Sequence, residues 1–199
     1  MDAINERILD CIPGNSTVSH SVQDCNDKQR YVVEFLNTLM PSGMPPHDLK
    51  LKEGVPLILL RNVDMTRGLC NGTRLILRRV STWTLDAEIA VGHYAGARVL
   101  IPRTTITSAP DEYPFVLERR QFPVRLAFAM TINKSQGQTV RGSLGLYLPM
   151  HTFSHGQLYV AASRVDTASC FKVAITATVN NPGDDHSHTR NVVYREVLE

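Results

Sequence analysis

The chain has 199 residues, 43% of them hydrophobic and 20% charged, with a formal net charge of +2. That length buries a sizeable core in one domain or two small ones, and no stretch approaches the ~18 apolar residues of a membrane span. The N-terminus, MDAINERILDCIPG, lacks the apolar core of a secretory signal, and Cys11, Cys25, Cys70 and Cys170 form no CxxC pair, reading as thiols of a reducing compartment.

The first predicted element is a helix over Met1 to Leu9, with Ile4, Ile8 and Leu9 on one face and a stop near Pro13-Gly14. A polar passage from Asn15 to Arg30 follows, then a short helix around Tyr31 to Met40, ended by the prolines and glycine of MPSGMPPHDLK. A helix with no strand before it suggests that the chain opens partway through a larger α/β fold.

From Leu51 to about Arg120 the pattern changes to short strands: PLILLRN, TRLILRRV, LDAEIAV, ARVLIPRTTI and PFVLERR, separated by turns such as Asn71-Gly72 and His93-Tyr94-Ala95-Gly96. Five short strands with no helix between them suggest a small closed or nearly closed barrel, which removes exposed sheet edges. Positive charge collects in this region. Residues 51–164 carry fourteen basic and seven acidic side chains, against four and seven in residues 1–50 and three and five in residues 165–199. Arginine dominates (Arg61, Arg67, Arg74, Arg78, Arg79, Arg98, Arg103, Arg119, Arg120, Arg125, Arg141 and Arg164), and its rigid donor fork suits phosphate oxygens. Alternation around Arg74, Ile76 and Arg78 places the arginines on one exposed surface. That surface reads as a nucleic-acid contact or as an ordinary solvated strand face. The barrel's aromatic candidates, Trp83, Tyr94, Tyr113 and Phe115, are sparse, and core roles for them stay open.

After Gln121, VRLAFAMTI reads as a strand covered on both sides, with polar NKSQGQT at its C-terminal end. LGLYLP is a further strand, Ser154 a candidate N-cap for a helix from His155 to Arg164, and Phe171 to Thr176 the last strand of an α/β arrangement. Asp184, Asp185, His186 and His188 fall in a polar segment that lacks the further ligands a metal site needs. The expected metal set is therefore empty.

A phosphate cradle needs GxxxxGK[ST] between strand and helix, because successive backbone N–H groups wrap the phosphates. Lys134-Ser135 has no loop glycines upstream, so it is not such a cradle. Thr131, Asn133, Lys134 and Ser135 are a dense donor set suited to a sugar–phosphate strand, or simply helix-capping groups. Gly137 and Gln138 offer backbone and side-chain donors to a phosphate. Arg164 could neutralise charge on transferring phosphate oxygens, or sit at a helix C-terminus against the dipole. No nucleophile–base order and no paired carboxylates mark a complete hydrolase.

RRQFPVRLAFAMTINKSQGQT together with FSHGQLYVAASRV resembles the last two helicase motifs of the superfamily-1 Pif-type DNA helicases, including their relatives carried by helitron transposons. LKEGVPLILLRNVDMTRGLCNGTRLILRRV and VLIPR resemble the small barrel inserted in the second RecA-like domain of that family, and NVVYREVL its terminal strand region. The resemblance runs from Ala3 to the chain's end. It implies an α/β fold: a partial RecA-like, P-loop-NTPase-type helicase domain with an inserted small SH3-like β-barrel. Residues 1–50 would form the N-terminal part of the second RecA-like domain, 51–120 the barrel, 121–179 the C-terminal part, and 180–199 a polar loop and terminal strand.

The implied activity is an ATP-driven motor moving 5′-to-3′ on single-stranded DNA and opening a fork, located in the nucleus with the mitochondrion as the alternative. Arg164 matches the family's arginine finger, Gly137 and Gln138 its nucleotide-coupling loop, and Thr131, Asn133, Lys134 and Ser135 the adjacent DNA-side element. Arg74 and Arg78 fall in the barrel that guides DNA. Asn133 departs from the histidine common in the cellular branch and favours the helitron-like one. ATP and Mg2+ belong to the complete helicase. The phosphate-binding lysine and the acidic magnesium residues have no counterpart here, so the expected partners are DNA and a missing N-terminal RecA-like domain, with no membrane. The chain alone is expected to be inactive and to hold neither cofactor tightly. A helicase-derived fragment that only binds nucleic acid or protein is the alternative.

Overall fold

A computed structural model describes residues 2–27, 30–140, 142–175, 189 and 191–194. Asp184, Asp185, His186 and His188 lie outside the described residues, as does most of the expected terminal strand, and Asn191 to Tyr194 are irregular. The chain divides into two compact units, Met1–Ala129 and Met130–Glu199.

In the first unit, α1 (Asp2–Cys11) ends two residues before Pro13, which cannot donate to a further helical turn. Its buried positions are Asn5 and Leu9, one turn apart, while Ile8 is exposed. Buried Lys52 closes the helix: its Nζ donates to the carbonyls of Leu9 (2.9 Å) and Ile12 (2.7 Å), placing a cation on the negative end of the helix.

The polar passage contains two strands that its composition hides, β1 (Thr17–His20) and β2 (Val22–Cys25). After α2 (Val33–Thr38), β3 (Asp48–Leu51) pairs antiparallel with β1. Then come β4 (Pro56–Leu59), β5 (Arg74–Val80), β6 (Thr84–Ile89), β7 (Arg98–Pro102), β8 (Thr104–Thr107), β9 (Leu117–Gln121) and β10 (Val124–Leu126).

These strands do not close a barrel. Five form an open antiparallel sheet in the order β10-β4-β5-β6-β7, and three form a second sheet in the order β2-β9-β8. The expected single strand ARVLIPRTTI is two, because the chain passes from one sheet to the other at Pro102-Arg103, where proline offers no N–H to the ladder. VRLAFAMTI is likewise not one long α/β strand. Only Val124–Leu126 forms a strand, and it pairs with β4 inside the first unit.

Alternation explains the main core. Leu85, Ala87 and Ile89 of β6 and Val99 and Ile101 of β7 point inward with Leu75 and Leu77 of β5, joining Leu9, Leu49, Leu51, Leu57, Leu59, Phe122 and Val124. Each such aliphatic burial contributes roughly 1.5–3 kcal/mol. Between Leu77 and Arg79 the pairing with β6 slips by one residue, a β-bulge that sends both Arg78 and Arg79 outward. A smaller core gathers Cys25, Leu36, Phe115 and Leu117 against Tyr31, Leu39 and Tyr113.

The second unit is built on a parallel pair, β11 (Leu144–Leu148) and β12 (Phe171–Ile175), joined through α3 (Gln157–Ala162). This agrees with the strand–helix–strand order in the sequence. The helix is shorter than expected, and its N-cap is Gly156 with φ 68° rather than Ser154. Leu146, Leu148 and Ala161 form its buried core, packed by Ile132, Leu158, Phe171 and Ile175.

Candidate functional site

In the second unit, Thr131 is extended and leads into a short 3-10 turn at Ile132–Ser135. The turn is fixed locally: the Ser135 hydroxyl donates to the Ile132 carbonyl at 2.6 Å, and the Gln138 amide Nε2 to the Lys134 carbonyl at 3.1 Å. Ile132 anchors it from below by packing on the α3 core. Thr131, Asn133 and Lys134 are exposed, while Ser135 is half-buried. Gly137 reverses the chain with φ 75°, in the left-handed region where a side chain is strained.

Arg164 lies just beyond α3, and its guanidinium turns into this loop rather than projecting away from it. Nη1 donates to the carbonyls of Gln138 (3.0 Å) and Ser135 (3.4 Å), Nε to Val160 (2.8 Å) and Nη2 to the Ser163 hydroxyl (2.7 Å). In return the Val140 N–H donates to the Arg164 carbonyl at 2.8 Å. One side chain therefore spans the Ser135-to-Gln138 bend. Its acceptors there are neutral, and an anionic oxygen outcompetes neutral carbonyls for the same donors.

The structure thus brings together Thr131, Asn133, Lys134, Ser135, Gly137, Gln138 and Arg164 on one loop–helix junction. Arg74 and Arg78 belong to the first unit, both on β5. Leu75 and Leu77 are the inward residues there, so Ile76 shares the outward face with these arginines. Arg78 is paired with Glu88, at 3.1 Å from Nε and 2.9 Å from Nη2. Burial lowers the pKa of Arg74.

The arginines do not share one exposed surface. Arg119 is fully buried and donates to the carbonyls of Pro45 (3.0 Å), Leu36 (3.2 Å) and Leu39 (2.9 Å) and to Gln23 Oε1 (3.0 Å). Arg103 donates to the His20 carbonyl (2.7 Å), Ser19 Oγ (2.8 Å) and the Thr82 carbonyl (2.9 Å), and lies over the Phe122 ring. Arg98 pairs with Asp86. Alternation in the sequence marks Arg119 as inward-facing, because Leu117 and Gln121 on either side of it are inward too.

Sequence reasoning missed a cluster of His20, His47 and Asp48, whose ligand-type atoms lie within 4.8 Å of one another. It forms because β1 and β3 pair His20 directly with Asp48. Asp48 Oδ1 lies 2.7 Å from His20 Nδ1 and 3.4 Å from His47 Nε2. The other nitrogen of His47 faces Ser21 Oγ at 2.8 Å and Gln23 Nε2 at 3.2 Å. The Gln23 amide nitrogen donates, so in this arrangement His47 Nδ1 accepts and its Nε2 faces Asp48.

Against this geometry, comparison with known proteins is specific. The family model "DNA helicase Pif1, 2B domain" matches residues 34–79. The ATP-dependent DNA helicase PIF1 of Xenopus laevis is 31% identical over 173 residues, which cover 82% of this chain and 24% of the frog protein. The ATP-dependent DNA helicase Pif1 of Campylobacter jejuni is 43% identical over 170 residues, covering 82% of this chain and 37% of that protein. Over most of its length this chain is homologous to the Pif1 helicases.

The fold agrees. A crystal structure of the Pif1 helicase from Bacteroides in complex with ADP-AlF3 and single-stranded DNA superimposes with a TM-score of 0.61 at 25% identity, covering 86% of this chain and 37% of that one. The chain spans about a quarter of the frog Pif1 and little more than a third of the bacterial Pif1 proteins.

Proposed function

We propose that the chain is the C-terminal portion of an ATP-dependent helicase that moves 5′-to-3′ on DNA. In this reading residues 1–50 and 121–179 belong to one RecA-like domain, and residues 51–120 are an SH3-like insertion. Thr131, Asn133, Lys134 and Ser135 contact the sugar–phosphate strand, with Arg74 and Arg78 guiding DNA. Gly137, Gln138 and Arg164 face the nucleotide, Arg164 as the arginine finger.

The observation that carries the reading is the double donation from Arg164 Nη1 to the carbonyls of Ser135 and Gln138. It makes the arginine a clamp on the loop that also holds Lys134. When Arg164 exchanges those carbonyls for phosphate oxygens, the bend loses its clamp and the loop is free to move. Nucleotide occupancy and strand contact then become two ends of one hydrogen-bond exchange. A guanidinium paired with an anionic oxygen is held more strongly than one bonded to a neutral carbonyl, which drives the exchange.

The residues fit half of the implied cofactor pair. The Arg164 and Gln138 donors suit phosphate, whereas Asp166 is the only acidic residue among those described in the second unit, and it cannot by itself hold Mg2+. Bound ATP supplies the energy of phosphoryl transfer, and its cradle and metal ligands must come from a first RecA-like domain. Binding of a labelled single-stranded oligonucleotide tests the DNA half of the reading. DNA-stimulated ATPase activity on adding a P-loop-bearing RecA-like domain tests the motor half. A chain that binds DNA but never supports turnover would be a binding fragment.

A further inference from the structure

Trp83 is the only tryptophan in the chain, and 65% of it is exposed, at the tip of the β5–β6 hairpin. The Arg120 guanidinium lies over its ring, 5.9 Å from the centroid. Arg120 is exposed and sits in the middle of the β2-β9-β8 sheet, with Val22 and Thr105 as its cross-strand partners. Both neighbours are exposed as well, Val22 at 69%. An aromatic face, a guanidinium and a flat strand surface therefore adjoin one another.

The charges around the ring are unbalanced. Among the described residues neither Arg120 nor Arg103 has a carboxylate partner, since Arg103 is satisfied by carbonyls, Ser19 and Gln121. Burial first, and then the nearby charge of Arg120, lowers the pKa of Arg103. Two cations so placed favour an anion between or beside them. An open recess of about 450 Å3 lies against the hairpin, bounded by Ser19, His20, Val80, Thr82 and Arg103.

We propose that Trp83 and Arg120, with the Arg103 recess beside them, form a stacking subsite for one nucleotide of a DNA single strand, the base on the indole and its phosphate on the guanidinium. An indole offers a sequence-tolerant face only to a base already out of the duplex stack, and an adjacent arginine neutralises the connecting phosphate. The subsite rests on the DNA-binding reading above and extends it to residues of the first unit other than Arg74 and Arg78.

The test follows two signals in one titration of the purified chain with a fluorophore-labelled oligothymidine. Anisotropy of the label reports binding anywhere, and the fluorescence of the sole tryptophan reports this subsite. The expected result is tryptophan quenching that saturates together with the anisotropy. Trp83→Ala should weaken binding on the order of tenfold, and Trp83→Phe should restore part of it. Arg120→Ala should flatten the slope of log affinity against log salt by about 0.7 for the one phosphate lost. Circular dichroism confirms that the variants are folded, which the exposure of both side chains favours.

Normal anisotropy with unchanged tryptophan fluorescence and an unaffected Trp83→Ala variant overturns the subsite and leaves the DNA-binding reading standing. Absence of any anisotropy change, even at low salt, overturns the DNA-binding reading and the subsite with it. Equal quenching and affinity with a matched RNA overturns the assignment to DNA.

Discussion

Arg164 Nη1 reaches the Gln138 carbonyl at 3.0 Å and the Ser135 carbonyl at 3.4 Å, so the loop and the end of α3 are joined by one guanidinium. Arg164→Ala removes both bonds together with the fork's contact to the Ser163 hydroxyl. In the isolated chain, amide hydrogen exchange over residues 134–140 should accelerate while the strands of the first unit stay protected. In a protein completed with a P-loop domain, turnover should fall by about 10^3-fold or more, the usual worth of an arginine finger. Arg164→Lys keeps the charge but not the fork, so it should recover little of either property. Unchanged exchange would show that the clamp does not order the loop.

Lys134 is exposed on the same loop, beside Thr131 and Asn133. As a phosphate contact it should carry affinity without sequence preference. Lys134→Ala is expected to weaken single-strand binding about equally for thymine-rich and mixed oligonucleotides, and to reduce the salt slope by about 0.7. Anisotropy titrations between about 50 and 200 mM salt decide this. A variant with the wild-type slope has lost no phosphate contact, which would move the strand away from this loop.

The places where the sequence was readable, and where it was not, differ in physics. The β6 run TLDAEI alternates cleanly because one face is buried and the other wet, and it folds as read. β11, α3 and β12 were equally visible, since an apolar strand needs a helix over it. The loop and Arg164 were named from their motifs, but the inward turn of the guanidinium depends on carbonyls that no residue type announces. β1 and β2 stayed hidden because their apolar content is low: β1 shows a single buried position, Ser19, whose hydroxyl is satisfied by Gln121. The closed barrel failed because strand count says nothing of pairing partners, and β8 and β9 left for a sheet whose third strand, β2, had not been foreseen. Trp83, left open between core and surface, is on the surface.

Buried Arg119 should prove costlier to replace than any of the surface arginines. It fixes α2 and the Pro45 segment by donating to three carbonyls and to Gln23, and only its Nε lacks an acceptor. Arg119→Ala leaves those acceptors unpaired around a cavity. Hydrogen bonds to a charged group are worth about 1.5–3 kcal/mol each before non-additivity, so a loss of at least about 3 kcal/mol is expected by urea unfolding. Arg78→Ala, which breaks only an exposed pair with Glu88, should cost no more than about 1 kcal/mol. Equal midpoints for the two variants would contradict this division of structural and surface arginines.

Gly68 should resist replacement for two separate reasons. It ends the 3-10 turn at Met65–Arg67 in the left-handed region, with φ 75°. A Cβ there would also come within 2.5 Å of the Tyr94 ring. Gly68→Ala should lower stability by about 1–3 kcal/mol from the backbone alone. The double variant Gly68→Ala with Tyr94→Ala separates the causes: recovery of part of the loss identifies the ring contact, and no recovery leaves only the backbone.

The cluster of His47, His20 and Asp48 should make stability fall in mildly acidic solution. Burial lowers the pKa of His47 from its ordinary 6.5; Asp48 opposes it as the next-largest influence, and Arg119 and His20 add smaller downward pushes. A histidine whose folded pKa is depressed binds protons better in the unfolded chain, so folding loses free energy as pH drops. The loss begins near the ordinary value of 6.5 and is complete below the lowered one. Asp64 and Asp86, whose pKa values are lowered from 3.8, contribute only in a more acidic range. Melting temperature measured from about pH 7.5 to 5 should therefore decline in the native chain, and His47→Asn should flatten that decline even if its midpoint at neutral pH is lower. A decline of the same steepness in both proteins would assign the acid sensitivity to other groups.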